Sequence, residues 1–155
     1  MRRAFTLIEI IFVVILVGIL GAVGSSLYRP DRVLADTNYI AAKLMQSRYE
    51  AIGYDHRNFD GTFDSSSIGC ITISKSSLND PPQRAGGYTL SKKSLVTVSG
   101  LTGNTICFDE KGYPHDGSFS DSSLLHRRVD INVSDSKNSY TITVMPFSGY
   151  VKILN

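Results

Sequence analysis

Residues 1–30 read MRRAFTLIEIIFVVILVGILGAVGSSLYRP, and the nature of this stretch decides what the rest of the chain can be. Glu9 is its only acidic residue, and from Ile10 to Tyr28 there is no charge at all. Such a run is close to the ~20 residues that a bilayer-spanning helix needs. Arg2 and Arg3 ahead of it favour a cytoplasmic N-terminus. Arg29 on the far side weakens that contrast without reversing it, and Pro30 breaks or kinks the helix. Three readings compete. One is a secretory signal peptide with a small-residue site near Gly21-Ala22-Val23-Gly24. Another is a plain single-span anchor, and the third is a four-residue leader followed by a retained hydrophobic helix. Glu9 separates them. A carboxylate in a membrane segment costs about 2.5–3.5 kcal/mol on insertion scales, and neither a signal peptide nor a plain anchor gains anything from it. Gly18, Gly21 and Gly24 recur every three residues. They either permit close helix contact or reflect the ordinary glycine content of membrane helices.

Arg2-Arg3-Ala4 followed by Phe5-Thr6-Leu7-Ile8-Glu9 resembles the class III signal of type IV pilins and type II secretion pseudopilins. The resemblance implies cleavage by a prepilin peptidase between Ala4 and Phe5 and methylation of the new N-terminus at Phe5. It implies that residues 5–29 cross the inner membrane and then join a filament core, with an inner-membrane assembly platform and other pilins or pseudopilins as partners. The family has Gly before the cut, and Ala4 keeps a small residue there. After cleavage, Glu9 lies one helical turn from the free amine of Phe5. A neighbouring subunit's amine can neutralise it where an unpaired charge is costly, which sets the axial register. The alternative is a carboxylate that snorkels or stays protonated.

The whole chain has 155 residues, 42% of them hydrophobic and 19% charged. That is room for one small domain with an attached element, and it excludes a mainly disordered chain. The formal net charge is +2, and Arg2 and Arg3 account for it. Leaving out Arg2, Arg3, Arg29 and Glu9, the residues from Asp31 onward carry 13 basic and 13 acidic side chains. Nucleic acid is therefore not the expected partner, although Lys92-Lys93 and Arg127-Arg128 are local basic pairs that can touch phosphate.

Asp31 to Ile52 reads as an amphipathic helix with a broad stripe of Val33, Leu34, Thr37, Ile40, Ala41, Leu44, Met45, Ala51 and Ile52. Asp31 or Asp36 serves its first turn, and Gly53 ends it. Short β-like runs follow at 69–73, 88–90, 95–98, 105–108, 129–133, 140–144 and 150–154. Ser74 to Gly87 and Asp109 to Ser123 read as loops, and Pro146 to Gly149 as a turn. The expected fold is α+β: a long N-terminal helix, its first half transmembrane, packed through its second half on a mostly antiparallel, pilin-like sheet. The expected organisation is a leader over 1–4, the membrane and filament helix over 5–29, and a periplasmic domain over 30–155.

Three shorter segments extend the resemblance. Leu44 to Ile52 is similar to the L-x-x-A-R-x-x-A-I segment of H-type minor pseudopilins and FimT-like minor pilins, with Ser47 in place of Ala. Ile106 to Gly112 resembles their I-x-F-D-x-x-G hairpin, and Ser148 to Ile153 their closing x-G-R-V-x-V strand, with Tyr150 in place of Arg. The implied function is a minor pseudopilin of a type II secretion system that joins or primes the periplasmic pseudopilus. The alternative is a FimT-like minor type IV pilin serving pilus biogenesis or DNA uptake.

No catalytic constellation stands out, and the expectation is a protein without enzymatic activity, metal or cofactor. His56, His115 and His126 are far apart in sequence and read as solvated loop residues. Asp109, Glu110, Asp116 and Asp121 fall in one glycine-containing loop, where calcium is an alternative to plain solvation, but their order does not fit an EF-hand. Cys70 and Cys107 lie in expected strands. In a periplasmic domain oxidation is favoured, and closing the intervening loop stabilises the fold by ~4 kcal/mol in the chain-entropy model. Two buried free thiols are the alternative.

Overall fold

The computed structural model describes residues 6–27, 31–57, 61–62, 66–80 and 87–154, with side chains omitted for 24–27. The chain divides into two compact units, Met1–Asp31 and Arg32–Asn155. The first is helix α1, Leu7–Leu27, of 21 residues, or about 32 Å at 1.5 Å per residue. Every described side chain on it is exposed.

The second unit is α+β with antiparallel sheets. Helix α2 spans Arg32–Ala51. It is followed by β1 (Cys70–Thr72), the short α3 (Lys75–Leu78), β2 (Leu95–Ser99), β3 (Thr105–Phe108) and β4 (Pro114–Asp116). A 3₁₀ turn at Asp121–Ser123 then leads to β5 (Val129–Ser134), β6 (Ser139–Val144) and β7 (Val151–Leu154). Two sheets form where one was expected, β1-β3-β4 and β2-β5-β6-β7. Gly100 marks the point where the chain leaves the larger sheet after β2. It has φ 93 and backs so closely on β5 that a Cβ would stand 2.7 Å from the Arg128 carbonyl oxygen.

The face of α2 that is buried comprises Val33, Asp36, Thr37, Ile40, Ala41, Leu44 and Ala51. This is narrower than the sequence stripe, because Leu34, Met45 and Ile52 remain exposed. Against it lie Ile106 and Phe108 of β3, Val129, Ile131 and Val133 of β5, Ile142 and Val144 of β6, and Val151 of β7. Alternation along β5 is strict, with Val129, Ile131 and Val133 buried and the residues between them less so, as a half-buried antiparallel strand requires. The helix ends at Gly53, at φ 85, whose amide donates to the Glu110 carbonyl.

Three expectations need correction. Tyr88 to Leu90 is not a strand. Its backbone donors go to side chains instead, Tyr88 N to Asp80 Oδ2 at 3.0 Å and Leu90 N to Asn79 Oδ1 at 2.8 Å, so no neighbouring strand is needed to satisfy them. The loop read at 74–87 begins with α3, capped by Ser74. The loop read at 109–123 contains β4, because Asp109 Oδ1 accepts from Lys111 N and Tyr113 N and folds the chain back onto β3.

The three short segments that carry the second resemblance converge on one spot. Arg48 of α2 donates from Nε to the Gly112 carbonyl at 3.4 Å. Gly149, at φ 61, backs onto the same place, where a Cβ would lie 2.2 Å from Gly112 O, 3.1 Å from Arg48 Nε and 3.1 Å from Phe108 Cε1. Helix, hairpin and closing strand are thus locked by a position with no room for a side chain. Gly149→Ala should cost about 3 kcal/mol or more, through the left-handed backbone and the steric overlap together. Gly103→Ala, where nothing lies within 4 Å, should stay within about 0.5 kcal/mol. Equilibrium urea unfolding of the two variants checks this, and equal midpoints would refute the lock.

Candidate functional site

Glu9 is the acidic residue of the first turn of α1 and is exposed, as are Leu7, Ile8 and every residue from Ile10 to Val23. Ala4 and Phe5, the expected cleavage and methylation positions, lie outside the described residues. Among the described residues no helix is long and apolar enough to cross a membrane. Described side chains on α1 stop at Val23, short of the about 20 residues a crossing requires.

In the domain, Cys70 and Cys107 face each other across β1 and β3 and are joined as a disulfide. Among the described residues no cysteine is free. The cross-link pins the first strand after α2 to the central strand of the smaller sheet.

The two basic pairs are not brought together. Lys92 and Lys93 precede β2 at the end where Leu95 pairs with Ser134, and Arg127 and Arg128 precede β5 at the end where Ser99 pairs with Asp130. At about 3.3 Å per residue they stand roughly 20 Å apart along the strand. Arg128 is moreover paired with Asp130 at 3.0 Å.

The acidic loop is engaged in holding itself together. Asp116 Oδ2 accepts from Thr102 N at 2.9 Å and from Thr102 Oγ1 at 2.6 Å. Asp121 pairs with Arg57 at 3.5 Å. Asp109 Oδ1 caps the hairpin turn, while its Oδ2 stands 3.6 Å from His115 Nε2. Among the described residues, no group of three or more His, Cys, Asp and Glu is arranged to hold a metal.

Two histidines correct the sequence reading. His56 and His115 are buried, at 2% and 8% exposure, and only His126 is exposed. The His56 ring stacks on Phe119 at 3.7 Å, and His115 sits tilted to the same phenyl at 6.1 Å. Beside them opens a cavity of about 230 Å³, lined also by Arg57, Glu110, Tyr113 and Asp121. The one available signal was Pro114-His115-Asp116 as a strand, and strand pairing with β3 is what carries His115 inward.

Ser123, His115 and Asp109 form a line reminiscent of a hydrolase relay, with Ser123 Oγ 2.9 Å from His115 Nδ1. The hydroxyl is not poised to attack. It accepts from Ser120 N at 3.0 Å and faces the carbonyls of Ser118 at 2.6 Å and Ser120 at 2.7 Å. Its single proton goes to one of those carbonyls and one lone pair to the Ser120 amide, so both serve to close the 3₁₀ turn.

The most elaborate polar cluster is one the sequence did not announce. Asp36, expected at the helix start, lies inside α2 and is 1% exposed. It accepts from Tyr88 Oη at 2.7 Å, from Ser91 N at 3.1 Å and from Ser94 Oγ. Next to it, Lys43 bonds Asp80 at 2.9 Å, and Tyr39 stacks on Tyr88 at 4.4 Å. These contacts tie the segments on either side of residues 81–86 to α2. Burial first, and the bond to Asp36 second, push the Tyr88 phenol up from 10.0 to about 12. The Tyr88 amide, followed by Lys43, holds the Asp80 carboxyl down at about 2.

Comparison with known proteins finds no matching family model, no matching characterised sequence and no matching solved structure.

The pH response follows from these two shifts. A raised phenol pKa means that Tyr88 contributes stability below pH 10, lost as pH climbs through about 12. A depressed carboxyl pKa means that Asp80 contributes above pH 4, lost as pH falls towards about 2. Tyr88→Phe should destabilise by about 1–3 kcal/mol at neutral pH, since the bond it removes ends on a buried carboxylate. It should also flatten the alkaline limb between pH 10 and 12, and Asp80→Asn should flatten the acid limb. Urea midpoints across pH check both, and an alkaline limb unchanged in Tyr88→Phe would refute the assignment.

Proposed function

We propose that this chain is a filament subunit of the type IV pilin and pseudopilin class, in which α1 serves first as a membrane segment and then as a filament-core element. The observation that carries the reading is Glu9, one carboxylate in the first turn of a helix that is otherwise uncharged and whose described side chains are all exposed. Apolar side chains all round suit a lipid or a helix-packed environment, and the carboxylate in it calls for a cationic partner. The uncharged sequence continues beyond Val23 to Tyr28, which supplies the length that the described side chains lack.

Within that class, the reading favoured is a minor pseudopilin of a type II secretion system that joins or primes the periplasmic pseudopilus. It is neither an enzyme nor dependent on a cofactor. Its partners are other pilins or pseudopilins, the prepilin peptidase, the assembly platform and the lipid bilayer. The domain from Arg32 onward, with its disulfide, suits the oxidising periplasmic side. DNA capture draws less support, since the basic pairs sit at opposite ends of β2.

Intact-mass measurement of the membrane-associated chain should give a mature form beginning at methylated Phe5. A chain starting at Met1, or one cut after Gly24, would overturn the proposal. Glu9→Ala should leave membrane association intact and reduce co-purification with the other filament subunits several-fold, because insertion becomes cheaper while the axial partner is lost. Unchanged co-purification would remove the register role from Glu9.

A further inference from the structure

Phe147 stands in a backbone conformation that its own side chain opposes. It lies in the turn between β6 and β7 at φ 59 and is the one non-glycine residue with positive φ among those described. In that region a Cβ crowds the following carbonyl, and Gly or Asn is the ordinary occupant. Core burial does not offset the strain, since the residue is 50% exposed. Its aromatic neighbour is His126, edge-to-face at 5.2 Å. Nor does the turn need the phenyl. Backbone bonds close it, from Ser148 N to Pro146 O at 2.7 Å, Gly149 N to Met145 O at 3.0 Å and Met145 N to Tyr150 O at 2.9 Å. The same turn carries Tyr150, also largely exposed. Arg127, next to His126, is exposed and enters no ion pair among the described residues.

The complementary surface is on the same domain. The cavity over the stacked His56 and Phe119 rings holds about 230 Å³, where roughly 150 Å³ suffices for a benzene ring. Its lining carries Asp109, Glu110 and Asp121 together with Arg57 and Lys111, and Asp121 is almost fully exposed, 3.5 Å from Arg57. Knob and cavity are neighbours. Glu110 and Tyr113 of one turn line the cavity, while Gly112 of the same turn carries the carbonyl that Gly149 backs onto. Surfaces placed side by side cannot satisfy each other within one copy, whereas a two-fold axis between two copies engages both at once.

We propose that Phe147 of one copy seats in the His56–Phe119 cavity of a second copy, with Arg127 against Asp121, in a reciprocal dimer of the domain. This does not rest on the filament reading. A second copy is favoured over nucleic acid because a single unpaired arginine beside the knob offers little to a phosphate backbone.

Sedimentation equilibrium of the full chain in detergent should show a concentration-dependent dimer. At concentrations where the chain is monomeric, Phe147→Gly should raise the melting temperature, because the strain is relieved, and at higher concentrations it should weaken the dimer by roughly tenfold or more, equivalent to at least one decade in Kd. Arg127→Glu should weaken it too, and the pair Arg127→Glu with Asp121→Arg should restore it. Association driven by α1 would be indifferent to all of these changes. The proposal is overturned if Phe147→Gly lowers the melting temperature of the monomer, if the dimer is unaffected by it, if the charge-reversed pair fails to recover, or if Phe147 instead supports binding of a single-stranded oligonucleotide with no self-association.

Discussion

Ile40 and Leu44 have no access to water, and the helix face they belong to is shared by both sheets. α2 contacts β1 and β3 of the smaller sheet and β5, β6 and β7 of the larger. Each fully buried aliphatic side chain contributes about 1.5–3 kcal/mol relative to exposure. Loss of this face would therefore remove a surface on which the two sheets are held in common. Small residues let the sheets approach it: Ala41 and Ala51 are buried, and Gly69, at φ 76, lies where a Cβ would meet Ala51 Cβ at 2.6 Å. The close approach of β1 to the end of α2 is thus written into two residues that lack bulk.

Apolar burial anchors the long connection from β1 to β2 at Ile73, Leu78 and Leu90, and the polar contacts of α2 fix its direction. Asp36 is taken out of water inside a helix, a placement that is costly unless its oxygens are bonded. Three donors reach it, all from the segment 88–94. The result is directional: an apolar patch would tolerate sliding of that segment, whereas a carboxylate with three assigned donors does not. The disulfide plays a parallel part at β1, which has three residues and too few ladder bonds to be secure alone.

What could be read from the sequence was what has a period or a punctuation mark. The helical stripe of α2, the alternation in β5 and the turn at 146–149 were legible because burial imposes spacing. The split into two sheets was not, because strand runs do not reveal their partners. Tyr88 to Leu90 looked like a strand by composition, yet its donors go to Asn79 and Asp80, which sequence spacing does not disclose. His56 and His115 were misread for a related reason. A histidine in a polar stretch is usually solvated, and only the pairing of β4 with β3 turns His115 towards Phe119. Asp36 was read as a helix-start residue from its type, whereas its position on the inward face, one turn before Ile40, was the better guide.

The two units obey different rules of burial. The domain from Arg32 onward hides its own apolar side chains, one face of α2 against two half-buried sheets. α1 has no such face. Its apolar residues run consecutively from Ile10 to Val17, so no rotation about the axis presents a polar side, and a single packing partner would leave most of it wet. On the proposed reading, lipid or a ring of like helices supplies an environment that is apolar all round, which suits that pattern. In either, burial energy is nearly indifferent to sliding along the axis, since one aliphatic residue replaces another. Glu9 is the exception that gives the helix a height. A carboxylate in a low-dielectric surrounding stabilises only the axial position at which a cation meets it. On the proposed reading, one charged residue therefore fixes a register that the uncharged run after it cannot.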